Sequence, residues 1–501
     1  MTHARGTYVL TLGLVLATLA LLSIAPAQAE EPPLVELPPA QGLFDPATVP
    51  TCPQDQAGCD PDEGPHPICW TYTCECRPPV CPTCPATYER IRYLEDWRGC
   101  LTKRPCDRGD WSDYAKAISF GTPWFQADFG GSVRLRWEWW QNQIFSPADA
   151  GDDNWLLGRA RLHADLHFGN LLRVFVEGIY ADQWERELGP RYGDVDQGDL
   201  LNGFVELGGT WGRGWTAGVG AGRRQLAFGK ERLISPYDWL NSPQTFDGVH
   251  GWIGRNHNRL DVFATRPVQL RAYEENSNDR EVGFWGLYFT NRTQTCITLE
   301  AYFLGYHNEN AVYMAGVGNE DRFTFGMRFG GEIPGTRFDY DFEGAYQFGE
   351  FGDQDIRAWF IALDIGFRPP SFKFDPRFAI GIDFASGNGD DEGKLGTFNS
   401  MFPNGHEYLG FADLFGRPNL VAVRGTFTMN PVKNVELRAD LHGFWRSSED
   451  DAVYTPLGRI LIPAVAEIDD KYVGAEFDLS ARWRLDRHLM FSAGWAHVFP
   501  G

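Results

Sequence analysis

From residue 131 to the end of the chain, apolar and polar side chains alternate with a period of two. In 133–139, Val133, Leu135, Trp137 and Trp139 fall on one face, and Arg134, Arg136 and Glu138 on the other. In 159–168, Arg159, Arg161, His163, Asp165 and His167 oppose Ala160, Leu162, Ala164, Leu166 and Phe168. Residues 338–348, 435–445 and 472–485 repeat the pattern. A period of two is that of a strand with two unlike faces. Ten or more strictly alternating residues exceed the about five or six of an ordinary soluble strand. Seventeen such segments are present: 131–141, 157–168, 171–184, 200–211, 215–227, 247–253, 259–267, 282–290, 296–306, 322–329, 336–348, 355–368, 376–386, 418–429, 434–446, 471–485 and 489–498.

Their connectors also alternate. Short turns lie at 169–170, 212–214, 254–258, 291–295, 330–335, 369–375, 430–433 and 486–488. The intervening loops are longer, near 142–156, 185–199, 228–246, 268–281, 307–321, 387–417 and 447–470, with a shorter one at 349–354. A soluble sandwich has no reason to keep its long loops at one end. A transmembrane β-barrel keeps short turns in the periplasm and long loops outside. The expected fold is therefore all-β: a transmembrane antiparallel up-and-down barrel. Single-chain bacterial barrels have even strand numbers. Seventeen segments would leave Pro500 and Gly501 outside, so the pattern predicts a missing final strand or an unusual closure.

The first residues agree with export. Arg5 precedes an apolar stretch at 8–24, and Ala27-Gln28-Ala29 is an A-x-A cleavage site. No other stretch approaches the roughly 20 apolar residues of a spanning helix. The expected organisation is a signal peptide over 1–29, a Pro/Cys-rich periplasmic linker over 30–119, poorly ordered and disulfide-stapled, and a barrel over 120–501 in the cell outer membrane. Nine of the ten cysteines, Cys52, Cys59, Cys69, Cys74, Cys76, Cys81, Cys84, Cys100 and Cys106, lie in that linker, and Cys296 stands apart. In an exported chain they read as disulfides more than as a zinc site, although Cys81 and Cys84 form a CxxC. The linker reads as a spacer, or as a tether to periplasmic export partners.

Composition changes the picture little. Fifty-six glycines supply turns, and 36 Phe, 18 Tyr and 18 Trp supply a lipid face and interfacial girdles. The net charge of −22 argues against nucleic acid as a partner. It does not set the sign of a pore, because much of the acid lies in loops.

An ordered set of motifs resembles the alginate export family of outer-membrane barrels over about 120–501. Its pieces are 130–136 with Glu138, then 222–225 leading through Arg232-Leu233 and Trp239-Leu240-Asn241 to 246–249. They continue with 339–349, including Glu343, Tyr346, Gln347 and Phe348, and with 356–359, 386–390 and 396–403. The resemblance implies 18 strands, of which 17 are visible, and an arginine-lined channel for an anionic uronate polymer. Gln244 and His250 stand where the family usually has basic residues. The aromatic-terminated last strand and the Cys-rich prefix depart from it too.

On the alternation, inward arginines include Arg134, Arg136, Arg159, Arg161, Arg173, Arg328, Arg424, Arg438, Arg446, Arg482 and Arg484, and the resemblance adds Arg224. Inward acids are Glu138, Asp165, Glu177, Glu206, Asp339, Asp341, Glu343, Asp383, Glu436, Asp440, Glu476 and Asp478. Most of these read as cross-strand partners in a salt-bridged wall. The substrate path is assigned to Arg134, Arg136, Arg159, Arg161, Arg224, Arg424, Arg438, Arg482 and Arg484, whose guanidinium groups suit carboxylates. Asp339, Asp341 and Glu343, without a partner on their own strand, form an opposing acidic arc. No motif orders a nucleophile, a base and an orienting group, so no catalytic residue is assigned. No metal site and no cofactor is expected, although Asp390, Asp391 and Glu392 in loop 387–417 could hold calcium. The same loop could fold into the mouth as a constriction. The expected function is passive passage of an anionic uronate-type polysaccharide. The alternatives are a general or small-anion porin and an adhesin or structural barrel.

Overall fold

The computed structural model describes residues 7–16, 88–98, 110–122, 124–142, 151–294, 297–389, 393–465 and 470–501. The cleavage site at 27–29, all ten cysteines and Asp390, Asp391 and Glu392 lie outside them. Eighteen long strands form one wall: β1 Thr7–Leu16, β2 Phe125–Gln141, β3 Asp153–Phe168, β4 Leu172–Trp184, β5 Asp196–Trp211, β6 Trp215–Arg224, β7 Phe246–Arg255, β8 Asn258–Gln269, β9 Val282–Gln294, β10 Ile297–Tyr313, β11 Gly316–Glu332, β12 Phe338–Phe351, β13 Gln354–Phe367, β14 Arg377–Ala385, β15 Leu420–Val432, β16 Val435–Arg446, β17 Tyr472–Arg484 and β18 Leu489–Pro500.

Each strand from β2 to β18 pairs antiparallel with the next, as in Arg134↔Arg159 and Glu343↔Ala362. The seventeen alternating segments correspond to β2–β18, so the barrel fold read from the alternation is the fold of this chain. The ring closes through β1. Leu10 sits opposite Trp495 of β18 on one side and opposite Trp139 of β2 on the other. Part of the apolar stretch read as a signal thus takes the eighteenth place in the wall. No edge is left in a layer where unpaired N–H and C=O groups have no water to turn to.

The alternation in sequence is an alternation in space. Leu162, Val176, Val205, Val219, Phe325, Ile361 and Ile380 are exposed on the outer surface, where they form an apolar face. Their neighbours Arg161, Glu177, Thr324 and Gln347 are buried inward. One connector departs from expectation. The loop placed at 307–321 is mostly strand, because β10 and β11 pair as far as Tyr313↔Gly316. This hairpin has no sustained apolar face, so a reading based on amphipathic alternation ends too early.

The interior is not empty. The connectors 225–245 and 386–419 fold into the barrel and meet in a parallel bridge, Ile234↔Phe402. Leu233, Ile234 and Phe398 from these loops pack on Phe246, Phe263, Phe284 and Phe360 of the wall. A second apolar cluster joins Tyr408, Leu409, Ala412 and Phe415 to Trp140, Trp155 and Phe444. Loop 386–419 therefore does turn into the mouth. The inward course of 225–245 was not expected.

The described parts of the segment assigned to a poorly ordered linker also lie against the barrel. Residues 88–98 contact inward side chains of β3–β5, and 110–115 pack on the 485–488 turn through Asp110–His488 at 2.9 Å.

If Leu162 faces lipid, Leu162→Arg should lower the unfolding free energy by about 2–4 kcal/mol, the cost of a cation near the bilayer midplane. Denaturant titration of the barrel refolded in vesicles measures it. Wild-type stability would place this position away from lipid.

Candidate functional site

A cavity of about 710 Å3 opens inside the barrel along β15–β18, β2 and β3. Ten arginines and seven carboxylates line it. Seven of the nine arginines assigned to a path are among them: Arg134, Arg136, Arg159, Arg161, Arg438, Arg482 and Arg484. They come from both ends of the barrel sequence, and ring closure makes them neighbours.

Most of these cations already have partners. Arg134 donates to the carbonyls of Asp238 and Leu240 at 2.8 and 2.7 Å. Arg159 pairs with the Asp238 carboxylate at 3.0 Å, and Arg161 with Glu177 at 2.9 Å. Arg136 pairs with Glu138 at 2.8 Å and lies 4.3 Å above the Trp239 ring. His406 stacks on that indole at 3.6 Å. So β2 and β3 clamp loop 225–245 through its carbonyls, one carboxylate and one ring. Burial alone would push the Asp238 carboxyl up, but Arg159, Arg134 and Arg161 hold it down at about 2.

Further along the chain Arg438 is also engaged, whereas Arg482 and Arg484 are freer. Arg438 holds Asp440 at 2.6 Å and Glu407 at 3.1 Å. Arg482 makes a 3.5 Å pair with Glu436 in which both side chains are half exposed, at 56% and 46%. An exposed pair of this kind contributes about 0–1 kcal/mol, so a soluble anion competes with it easily. Arg484 is exposed and makes no ion pair among the described residues. The least engaged positive charge of the site is therefore at the end of the barrel that carries the short 485–488 turn.

Two assigned arginines lie elsewhere. Arg224 contacts His250 Nδ1 at 2.8 Å and covers the Phe204 ring at 4.1 Å. Arg424 donates to Asp364 at 2.7 Å. The expected acidic arc is compensated. Asp339 accepts from Arg377 and Arg368 at 2.9 and 3.0 Å, and Asp341 from Arg232 and Arg328 at 2.7 and 2.9 Å. Glu343 accepts from Arg232 at 3.0 Å. The acids lack partners on their own strand, as the sequence says, but neighbouring strands and an inward loop supply them. A bare field across the pore does not result.

Arg232 is the central residue that the alternation could not find. It is 1% exposed, sits in loop 225–245, and also reaches Asp364 at 3.4 Å. Its one signal in the sequence is its place in the motif 232–233, which carries the family resemblance. Asp413 was also missed. It accepts a short hydrogen bond from Tyr237 Oη and so joins the two inward loops. Burial raises Asp413 to about 7, against the Tyr237 hydrogen bond and the charges of Arg191 and Arg136, while Glu138 adds to the rise.

Among the described residues, one compact group has metal-ligand chemistry: Asp128, Asp165 and His167 bring potential ligand atoms within 4.8 Å of one another. Three of its four carboxylate oxygens are engaged. Arg173 donates to both Asp165 oxygens at 2.8 and 2.7 Å, and the Ala117 N–H donates to Asp128 Oδ1 at 2.6 Å. A cation would compete with those donors for the same carboxylates.

Comparison with known proteins supplies the family. The family described as alginate export matches residues 125–501. No curated protein sequence matches. Among solved structures, Pseudomonas aeruginosa OccK11 (OpdR) is 11% identical with a TM-score of 0.47, covering 75% of this chain and 95% of its own. Pseudomonas aeruginosa OccK2 (OpdF), solved in complex with glucuronate, is 10% identical with a TM-score of 0.48, covering 75% and 97%. Acinetobacter baumannii OccAB4 is 9% identical with a TM-score of 0.48, over the same shares.

Arg232→Ala should cost about 3–5 kcal/mol, because it leaves buried carboxylates uncompensated; thermal unfolding in detergent measures the loss. The packing of Asp413 between the two inward loops should depend on pH, because burial favours its neutral carboxyl while the Tyr237 hydrogen bond favours the ionised form. Its folded value lies above the ordinary carboxylate value of about 3.9. The stability it lends is complete below that value and is lost as pH rises through about 7. Hydrogen exchange in 405–415, corrected for intrinsic rates, should quicken between pH 5 and pH 8 in the wild type. In Asp413→Asn it should stay flat.

Proposed function

Because this chain belongs to the alginate export family, whose pattern matches residues 125–501, we propose that the outer-membrane channel it forms passes anionic, uronate-type saccharides. The family and the barrel support a channel. The observation that carries the substrate reading is the cavity with its ten arginines against seven carboxylates. Guanidinium forks bind carboxylates in two-point fashion. Several weak sites in series let a solute advance where one tight site would trap it. Arg482 and Arg484 are the entry sites on this reading, because their charge is least spent on the wall. Arg134, Arg136, Arg159 and Arg161 act further in and also hold loop 225–245 in place.

A second reading, a porin for small anions, is favoured by the two loops inside the barrel. An extended polymer needs a continuous wide path, and the two loops that meet at Ile234↔Phe402 take up part of the lumen.

Planar-bilayer recording separates the two. Uronate oligomers should block the current in a saturable way, and uncharged oligosaccharides of equal length should not. Small-anion selectivity without saturable block would leave only the porin. The double variant Arg482→Gln/Arg484→Gln should move the reversal potential in a salt gradient toward cation preference and weaken the block at least threefold. An unmoved reversal potential would remove these two arginines from the path.

A further inference from the structure

Residues 88–98 precede the family-matched part of the chain, yet they sit inside its barrel. Ile91, Arg92, Glu95 and Trp97 are buried. Arg92 donates to Glu95 at 2.7 Å and to the Gly131 carbonyl of β2 at 3.0 Å. The Trp97 indole N–H also donates to Glu95, at 2.8 Å, which gives the short turn its own internal brace. Tyr93 is the anchor. Its ring meets Phe175 and Phe204 edge-on at 5.9 and 5.3 Å, and its hydroxyl donates to the Gln225 carbonyl. Arg173 of β4 donates to the Tyr93 carbonyl at 2.7 Å, and Arg161 of β3 to the Arg90 carbonyl at 3.4 Å. The segment is thus bound by side chains that the alternation assigns to the lumen.

This placement has a consequence for the conduit. The segment lies against inward side chains of β3–β5 and borders the open cavity. Tyr88, Glu89, Arg90 and Arg92 line that cavity together with Arg438, Arg482 and Arg484. Arg90 also pairs with Glu231 of the inward loop, with a side chain still 37% exposed. Charge and width on this side of the path are therefore set by residues that the barrel itself does not contain.

We propose that residues 88–98 are the selectivity wall of the channel. Tyr93 seats the segment, and Arg90 presents a cation to the passing solute. Together they limit passage to short acidic saccharides rather than extended polymer. The proposal rests on the anion-channel reading for the chemistry of the solute, and not for the narrowing.

Two variants of the full chain test it, with barrel integrity read from heat-modifiable gel mobility. Tyr93→Ala removes the anchor. Single-channel conductance should at least double, and uronate oligomers too long to cross the wild-type pore should become permeant. Arg90→Glu keeps the seat and inverts the charge. Its reversal potential should move toward cation preference, while Arg90→Lys should behave as wild type. If the wild type prefers anions and neither Tyr93→Ala nor Arg90→Glu changes conductance, size limit or reversal potential, the proposal is overturned. If the wild type shows no anion preference but Tyr93→Ala still doubles conductance, the anion reading falls and the selectivity wall stands as a size limit. If Tyr93→Ala does not fold, Arg90→Glu against Arg90→Lys decides alone.

Discussion

Everything in this molecule follows from one constraint: a strand in hydrocarbon must hand each backbone N–H and C=O to another strand. That condition closes the sheet. Closure fixes which side of each strand meets lipid, and period two then sends the other side chains inward. Charge that the lipid face excludes accumulates in the lumen. Arg161, Glu177, Arg328 and Glu343 are all buried there. Buried charges are costly alone, so the lumen must also be a place of pairing. The inward loops serve that need. Arg232 carries a cation to three carboxylates that face one another across β12 and β13.

This separates two populations of arginine. Those on β2 and β3 are packed against loop 225–245 and are as much mortar as path. Those at the end of β17 keep their charge for solvent. In a low-dielectric interior a compensated pair has little left to offer a third partner, whereas a half-exposed guanidinium can exchange one anion for another. The electrostatic gradient that a solute meets therefore runs from Arg484 inward, and not simply along the arginine count.

The wall was legible because its rule is local. Two neighbouring residues suffice to say which of Arg161 and Leu162 faces inward, and the rule fails where the register shifts, as in β5, where Leu200 and Val205 are both exposed. The convergence of Arg134 with Arg482 was legible too, since ring closure is topological. The partners of the acidic arc were not. Arg232 is more than a hundred residues from Asp341, in a loop without periodicity, and no strand rule reaches it. The hairpin beyond Asn308 was missed for a related reason: it needs no apolar face, and alternation signals only where lipid enforces it. The seat of Tyr93 combines both obstacles, with a short turn after a proline-rich stretch and partners on strands far along the chain.

That last case bears on how specificity is divided. A barrel strand can alter the pore only by changing an inward residue, and most of those are tied to a neighbour whose charge must change with it. A segment laid against the inner wall has no such bond to the lipid face. It touches the wall through carbonyls, one tyrosine and one arginine, and it borders the cavity. Substitution at Arg90 leaves every ladder hydrogen bond intact, whereas substitution at Arg161 strips Glu177 of its guanidinium partner and loosens the hold on Arg90 in one step. The physical cost of changing what passes is therefore lowest in the part of the lumen that the barrel does not build.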